Sequence, residues 1–220
     1  MTAPPQSRFS LAACLFLAVL TCAGAVGAKT VFDQSSPEAG RSAAINPPTA
    51  PGNAGKLDPE GKPAREISYE KGGGLSVSLL NPVGGRVLVA FPVRLEGPAR
   101  FLIYLRDPGG QEIAYFLATS NQWLFCDRNA KDEAGGQVFE RSEKFKPGGK
   151  GWQNVEIEID FHRKRLSVAM TNEGTTLHLF TELVFSNPEV KEFSKISFAR
   201  HESGSESPAF VGNIVVKSES

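Results

Sequence analysis

The chain has 220 residues, with 24 basic and 24 acidic side chains, 15 Phe, 22 Gly and 15 Pro. A formal net charge of zero leaves no electrostatic footprint for DNA, RNA or an anionic membrane, whose binding rests on a cationic excess. The length suits one domain with a sizeable core plus some spare chain.

Residues 1–28 read as an export signal. Arg8 is their only charge, Leu11 to Val19 are apolar without a break, and Ala25-Val26-Gly27-Ala28 supplies the small residues of a cleavage site after Ala28. A membrane-anchoring helix is the competing reading, since Leu11 to Ala28 comes near the lower length limit for a span. Gly24, Gly27 and the lack of a following basic cluster weigh against it. A lipid-bearing Cys22 would need Gly, Ala or Ser before it, and the chain has Thr21. The expected location is therefore secreted or periplasmic. No Asn-X-Ser/Thr sequon occurs, which favours a bacterial envelope protein over a eukaryotic secreted one. Cleavage removes Cys14 and Cys22 and leaves Cys126 alone, so the exported domain stands without an internal disulfide. Cys126 has no base partner identifiable in sequence and reads as a structural cysteine.

Residues 29–65 read as an arm rich in Pro, Gly and Ala, with too few large apolar side chains to offset the entropy of ordering them. Val31 and Phe32 are the exception and are expected to add one edge strand. From 66 to 220 period-two alternation dominates. Leu75, Val77 and Leu79 alternate with polar residues, and Val87 to Leu95 makes a longer strand in which Pro92 marks an edge or a bulge. Arg100 to Arg106 closes on the turn Asp107-Pro-Gly-Gly110, and Glu112 to Thr119 returns as its hairpin partner. Gln122 to Cys126 follows, then a polar loop over 127–150 with room for a short strand at Val138-Phe139. Val155, Ile157, Ile159 and Phe161 point one way, and Glu156, Glu158 and Asp160 the other. Strands then run over Arg165 to Thr171, Thr175 to Phe180, Phe193 to Arg200 and Ala209 to Lys217. The expectation is an all-β, two-sheet antiparallel jelly-roll sandwich of about ten strands.

Four pieces of this pattern resemble the concanavalin A-like lectin/glucanase jelly roll in its short LamG-like form. They are the strand Val87 to Leu95 leading into Arg100 to Asp107; Trp152-Gln-Asn-Val-Glu-Ile-Glu-Ile-Asp160; Arg165 to Gly174, a hairpin strand ending in a turn glycine; and Phe210-Val-Gly-Asn-Ile-Val-Val216. The last is similar to the closing strand of such domains, with Gly212 in place of the usual acidic residue. The resemblance implies a β-sandwich and, as one common role, recognition of a glycan or polysaccharide. It does not settle activity, because the same fold carries binding modules and hydrolases.

Sugars stack on aromatic rings, so Tyr104, Tyr115, Phe116, Trp123 and Phe125 are the binding-face candidates, while Trp152 is expected in the core by analogy with the family. Tyr104, Tyr115 and Trp123 head that set. The laminarinase and lichenase enzymes of the fold carry a Glu-x-Asp-x-Glu strand, and Glu156, Glu158 and Asp160 reproduce its spacing but not its residue types. A retaining pair would place its carboxyls about 5–5.5 Å apart, whereas residues four apart on a strand lie roughly 13 Å apart at Cα. The plainer reading pairs these acids with Arg163, Lys164 and Arg165 across the hairpin. Asp127, Asn129 and Asp132 offer oxygen ligands to calcium, the one metal the sequence suggests, although the loop departs from the EF-hand pattern at Lys131 and Asp132. His162, His178 and His201 lack metal-ligand spacing. The leading expectation is an exported, noncatalytic carbohydrate-binding or adhesion-type module. The alternatives are a small glycoside hydrolase using Glu156, Glu158 and Asp160, and a structural envelope protein with a protein partner.

Overall fold

The computed structural model describes residues 28–46, 57–68, 74–145, 151–201 and 207–219. The expected export signal lies outside them except for Ala28. The chain begins with β1 (Lys29–Asp33), a single helical turn α1 (Ala39–Ser42), β2 (Ala43–Asn46) and β3 (Arg65–Glu66). Then come β4 (Leu75–Val83), β5 (Arg86–Leu95), β6 (Arg100–Arg106), β7 (Glu112–Thr119), β8 (Trp123–Lys131) and β9 (Gln137–Arg141). The remainder is β10 (Trp152–Asp160), β11 (Arg165–Asn172), β12 (Thr175–Val184), β13 (Phe193–Arg200), β14 (Ala209–Val211) and β15 (Val215–Glu219). Among the described residues no helix is long and apolar enough to cross a membrane.

Two antiparallel sheets form a sandwich. One runs β1-β15-β5-β10-β11-β12, with β14 beside β5 and β3 beside β14; the other runs β2-β4-β13-β6-β7-β8-β9. Alternation sets the packing, because each strand turns every second side chain into the space between the sheets. Val87, Val89, Phe91, Val93 and Leu95 of β5 are buried, as are Phe101, Ile103 and Leu105 of β6 and Val155, Ile157 and Ile159 of β10. Aromatic rings carry the contact across the layers. Phe91 meets Phe198 edge-on at 5.0 Å, and Phe116 lies 5.9 Å from Phe180.

The segment whose composition suggests an arm contributes strands to both layers. β1 pairs with β15 at one sheet's edge, and β2 pairs with β4 at the edge of the other. Lys29 to Asn46 therefore straps the two sheets along one side of the sandwich. Few side chains are needed for this, because edge pairing is made by the backbone. Phe32, Ala39 and Ala43 supply the buried contacts.

The second half of the segment docks at a single knot. Pro92 lies within β5, a central strand with β10 on one side. On the other side β5 changes neighbours, from β15 over Arg86–Ala90 to β14 over Val93–Leu95. The Pro92 carbonyl accepts the Gly212 N–H at 2.8 Å there, so the absent proline N–H faces a handover between strands. That answers the ladder problem without an edge or a bulge. A Cβ at Gly212 would come within 2.5 Å of Pro92 Cγ and 2.7 Å of Asp58 Cβ. The space an acidic side chain would need at 212 is filled by Asp58, arriving from the other end of the chain. Its Oδ1 accepts the N–H groups of Glu60 and Lys62 at 2.9 and 2.8 Å, and its Oδ2 that of Asn213 at 3.2 Å. Asn213 Nδ2 in turn donates to Asp33 Oδ1 at 2.9 Å. Burial works to raise the Asp33 carboxyl, but hydrogen bonds from Asn213 and Ser35 outweigh it and hold it below its ordinary value.

Gly212→Ala is therefore expected to lower unfolding stability by about 1–3 kcal/mol, as overpacking does, in urea denaturation. Unchanged stability would show that the Asp58 loop yields freely. Because the folded-state pKa of Asp33 is depressed, its contribution is complete above the unfolded-state value and is lost as pH falls through the folded one. Asp33→Asn should flatten the fall in stability below about pH 4; an unaltered acid limb would contradict this.

Candidate functional site

The β6–β7 hairpin places Tyr104 directly opposite Tyr115. Ile103, Leu105, Ala114 and Phe116 occupy the inward positions around them, so both tyrosines stand on the outer face of the seven-stranded sheet, half-buried. Their rings stack at 4.9 Å with 12° between planes. The guanidinium carbon of Arg106, two residues along β6, lies 4.6 Å from the centre of the Tyr104 ring, a cation–π contact.

Strand pairing extends this pair into a polar and aromatic field. Tyr104 is opposite Ser197, which is opposite Ser76, itself opposite Asn46. The next row holds Glu112, Arg106, Lys195, Ser78 and Ala44. A third row holds Ala199, Leu102, Leu117, Leu124 and Arg141. The Ser197 hydroxyl is buried at the foot of the stack without a hydrogen-bond partner among the described residues. The face thus combines a flat aromatic pair, short hydroxyl side chains and cations. That set can pack an apolar ring face while answering polar groups at its rim.

The other aromatic candidates divide by register. Trp123 faces inward, against the expectation for it, and is fully buried. Pairing of Ala118 with Trp123 fixes the phase that sends it between the sheets, where it lies 6.2 Å from Phe116. Its backbone N–H donates to Ser142 Oγ at 3.0 Å. Phe116 and Phe125 are buried with it. Trp152 shows the opposite departure. Gln153, Val155 and Ile157 take the inward positions of β10, so Trp152 is half-buried on the outer face, opposite Arg94.

Glu156 and Glu158 are exposed on the outer face of the other sheet. The register of β10 is unbroken against both β5 and β11, so Glu156 and Asp160 keep the spacing of a regular strand. Asp160 is buried and closes the turn that follows it. Its Oδ1 accepts the N–H groups of His162 and Arg163 at 3.0 and 2.9 Å, and its Oδ2 lies 3.6 Å from Arg86. Burial acts to raise its pKa, but those two N–H groups and Arg86 together hold it below the ordinary value. The basic residues of the turn find other partners. Arg163 makes a two-pronged contact with Glu182 at 3.0 and 2.7 Å, Arg165 donates to the Glu182 carbonyl, and Lys164 donates to the Val190 carbonyl.

On the β8–β9 hairpin, Asp127 accepts the Ala130 N–H, and Asp132 accepts those of Ala134 and Gly136 at 3.0 and 2.6 Å. Both carboxylates serve local turns; the Asn129 side chain lies outside the described residues. Among the described residues no three His, Cys, Asp or Glu side chains group to hold a metal. Sequence reasoning passed over Arg106, Lys195, Ser197 and Ser76. The first is legible two positions after Tyr104 on an alternating strand. The others need strand order, because β13 and β4 are far from β6 in sequence.

No family model matches the chain, and no curated protein matches it. Among solved structures it is similar to a legume lectin-like domain from Entamoeba histolytica, with TM-score 0.53, 10% identity and coverage of 86% of this chain and 95% of that one. It is similar also to the CBM2 module of an evolved Dit from Lactobacillus casei BL23 phage J-1, at TM-score 0.50, 13% identity and 87% and 96% coverage. A sialidase matches 70% of this chain at TM-score 0.47 and 11% identity, and the chain spans only 15% of that protein's length. At such identities the likeness is one of fold: the chain shares the two-sheet antiparallel β-sandwich of these domains.

Asp160→Asn should lower stability through the turn it caps and its contact with Arg86, with the deficit fading as pH falls through the depressed folded-state pKa. Glu158→Gln should stay within about 0.5 kcal/mol of the parent, as exposed substitutions do. Equal losses for the two variants, read by chemical denaturation at pH 7, would contradict these placements.

Proposed function

We propose that the chain is an exported, noncatalytic carbohydrate-binding module that holds saccharide on the outer face of its seven-stranded sheet. The Tyr104–Tyr115 stack carries this reading. A sugar ring is amphipathic, with an apolar C–H face and a rim of hydroxyls. The stacked tyrosines offer aromatic surface and two phenolic hydroxyls; Ser197 and Ser76 share their row, and Ser78 and Arg106 lie in the next. The apolar run to Trp123 beneath makes the platform rigid, so little ordering entropy is lost on binding. The lectin-like and CBM2 neighbours support the reading through their fold. The apolar run at Leu11 to Val19 and the small residues before Lys29 support export. Glu156 and Glu158 are read as solvated face residues, with no bond-breaking role.

Export is tested by N-terminal sequencing of the mature protein from the culture medium or envelope, where Lys29 should be the first residue. Binding is tested with a glycan array and polysaccharide pull-downs on the mature protein. Retention without sugar release is expected, and Tyr115→Ala should weaken it about tenfold or more. EDTA should leave retention unchanged. Loss of binding in EDTA would shift the site to the Asp127–Asp132 loop, and no retention on any glycan would overturn the reading.

A further inference from the structure

We propose that the saccharide taken by this face is anionic, bearing carboxylate or sulfate groups that bridge Lys195 and Arg106. This rests on the carbohydrate-binding reading above and names the ligand class for the same face. Lys195 and Arg106 are direct partners across the β13–β6 pairing, in the row next to Tyr104 and Ser197. Side chains so placed have Cβ atoms about 4.5–5.5 Å apart, and like charges there repel. Both cations are half-buried, which limits how far they can swing apart into solvent. Among the described residues neither lies within 4 Å of a carboxylate. Arg106 rests on the Tyr104 ring instead.

Arg86 is matched by Asp160 and Arg163 by Glu182. Arg141 adds to the positive side of the seven-stranded face, with Glu112 opposite Arg106 on the negative side. The chain as a whole has equal numbers of acids and bases, so this local surplus is a matter of placement. An acidic sugar ring packed at the tyrosines would set its charged group over the Lys195–Arg106 pair. The anion would relieve the repulsion and gain charge-assisted hydrogen bonds.

The test compares polymers that share a backbone and differ in charge. Affinity electrophoresis would run the mature protein against polygalacturonate and its methyl ester, and against dextran sulfate and dextran. Lys195→Gln and Arg106→Gln would be compared with Lys217→Gln, an exposed lysine on the opposite sheet. The expected result is retention by an anionic member of a pair over its uncharged counterpart. Retention should weaken roughly tenfold in each of the two face variants, the scale of one hydrogen bond to a charged group, and hold in the Lys217 control. Equal retention by charged and uncharged polymers, with Tyr115→Ala still weakening it, would overturn the anionic class and leave sugar binding standing. Anionic retention that Lys195→Gln and Arg106→Gln leave intact, or that Lys217→Gln weakens as much, would overturn the assignment to this pair. Silence towards all four polymers would overturn the anionic class, and silence on the glycan array as well would remove the reading beneath it.

Discussion

Among the described residues no disulfide joins the two sheets, which are held by the apolar layer between them, and that layer tolerates one phase of alternation per strand. A slip of one residue would carry a strand's whole apolar set to the solvent side. The contacts of Phe91 with Phe198 and of Phe116 with Phe180 span the layers, so each phase is checked against a strand of the opposite sheet. The same constraint decides the outer faces. Once Ile103 and Leu105 are committed inward, Tyr104 and Arg106 must point out, and the chemistry of the face follows from the packing beneath it.

This constraint explains what could be read from the sequence and what could not. The strands of 75–217 were legible because most alternate over several residues, and the two-sheet sandwich follows from their number and spacing. About ten strands were expected, and the described residues contain fifteen. In 29–66, where composition points to an arm, β1 is the edge strand expected at Val31 and Phe32, and β2 and β3 are additional. β1 and β2 are held largely by backbone hydrogen bonds at sheet edges, and composition says little about such bonds. β9 is legible as the short strand at Val138-Phe139. β14 and β15 read as one run because the knot at Gly212 and Asn213 that divides them depends on Asp58, more than 150 positions away in the chain.

The site was legible in part for the same reason. Tyr104 and Tyr115 belong to one hairpin, so their shared face follows from a turn visible in the sequence. Trp123 lies one strand further on, and its phase depends on the β7–β8 turn at Ser120-Asn121, which side-chain type alone does not set. Analogy with the family puts Trp152 in the core, yet the phase of Val155 and Ile157 places it outside. Lys195 and Ser197 reach the tyrosines only because β13 pairs with β6. That order belongs to the folded sandwich and leaves no local trace in the sequence.

We propose that one face, centred on the tyrosine stack, does the binding. Backbone amide chemical shifts, followed while galacturonate oligosaccharides and their methyl esters are titrated in, test it most directly. Shifts are expected to concentrate at 102–106, 115–117 and 195–199, with 155–160 and 127–136 unmoved. Shifts concentrated along Glu156 to Asp160 or on the Asp127–Asp132 loop, or none with either sugar, would contradict it.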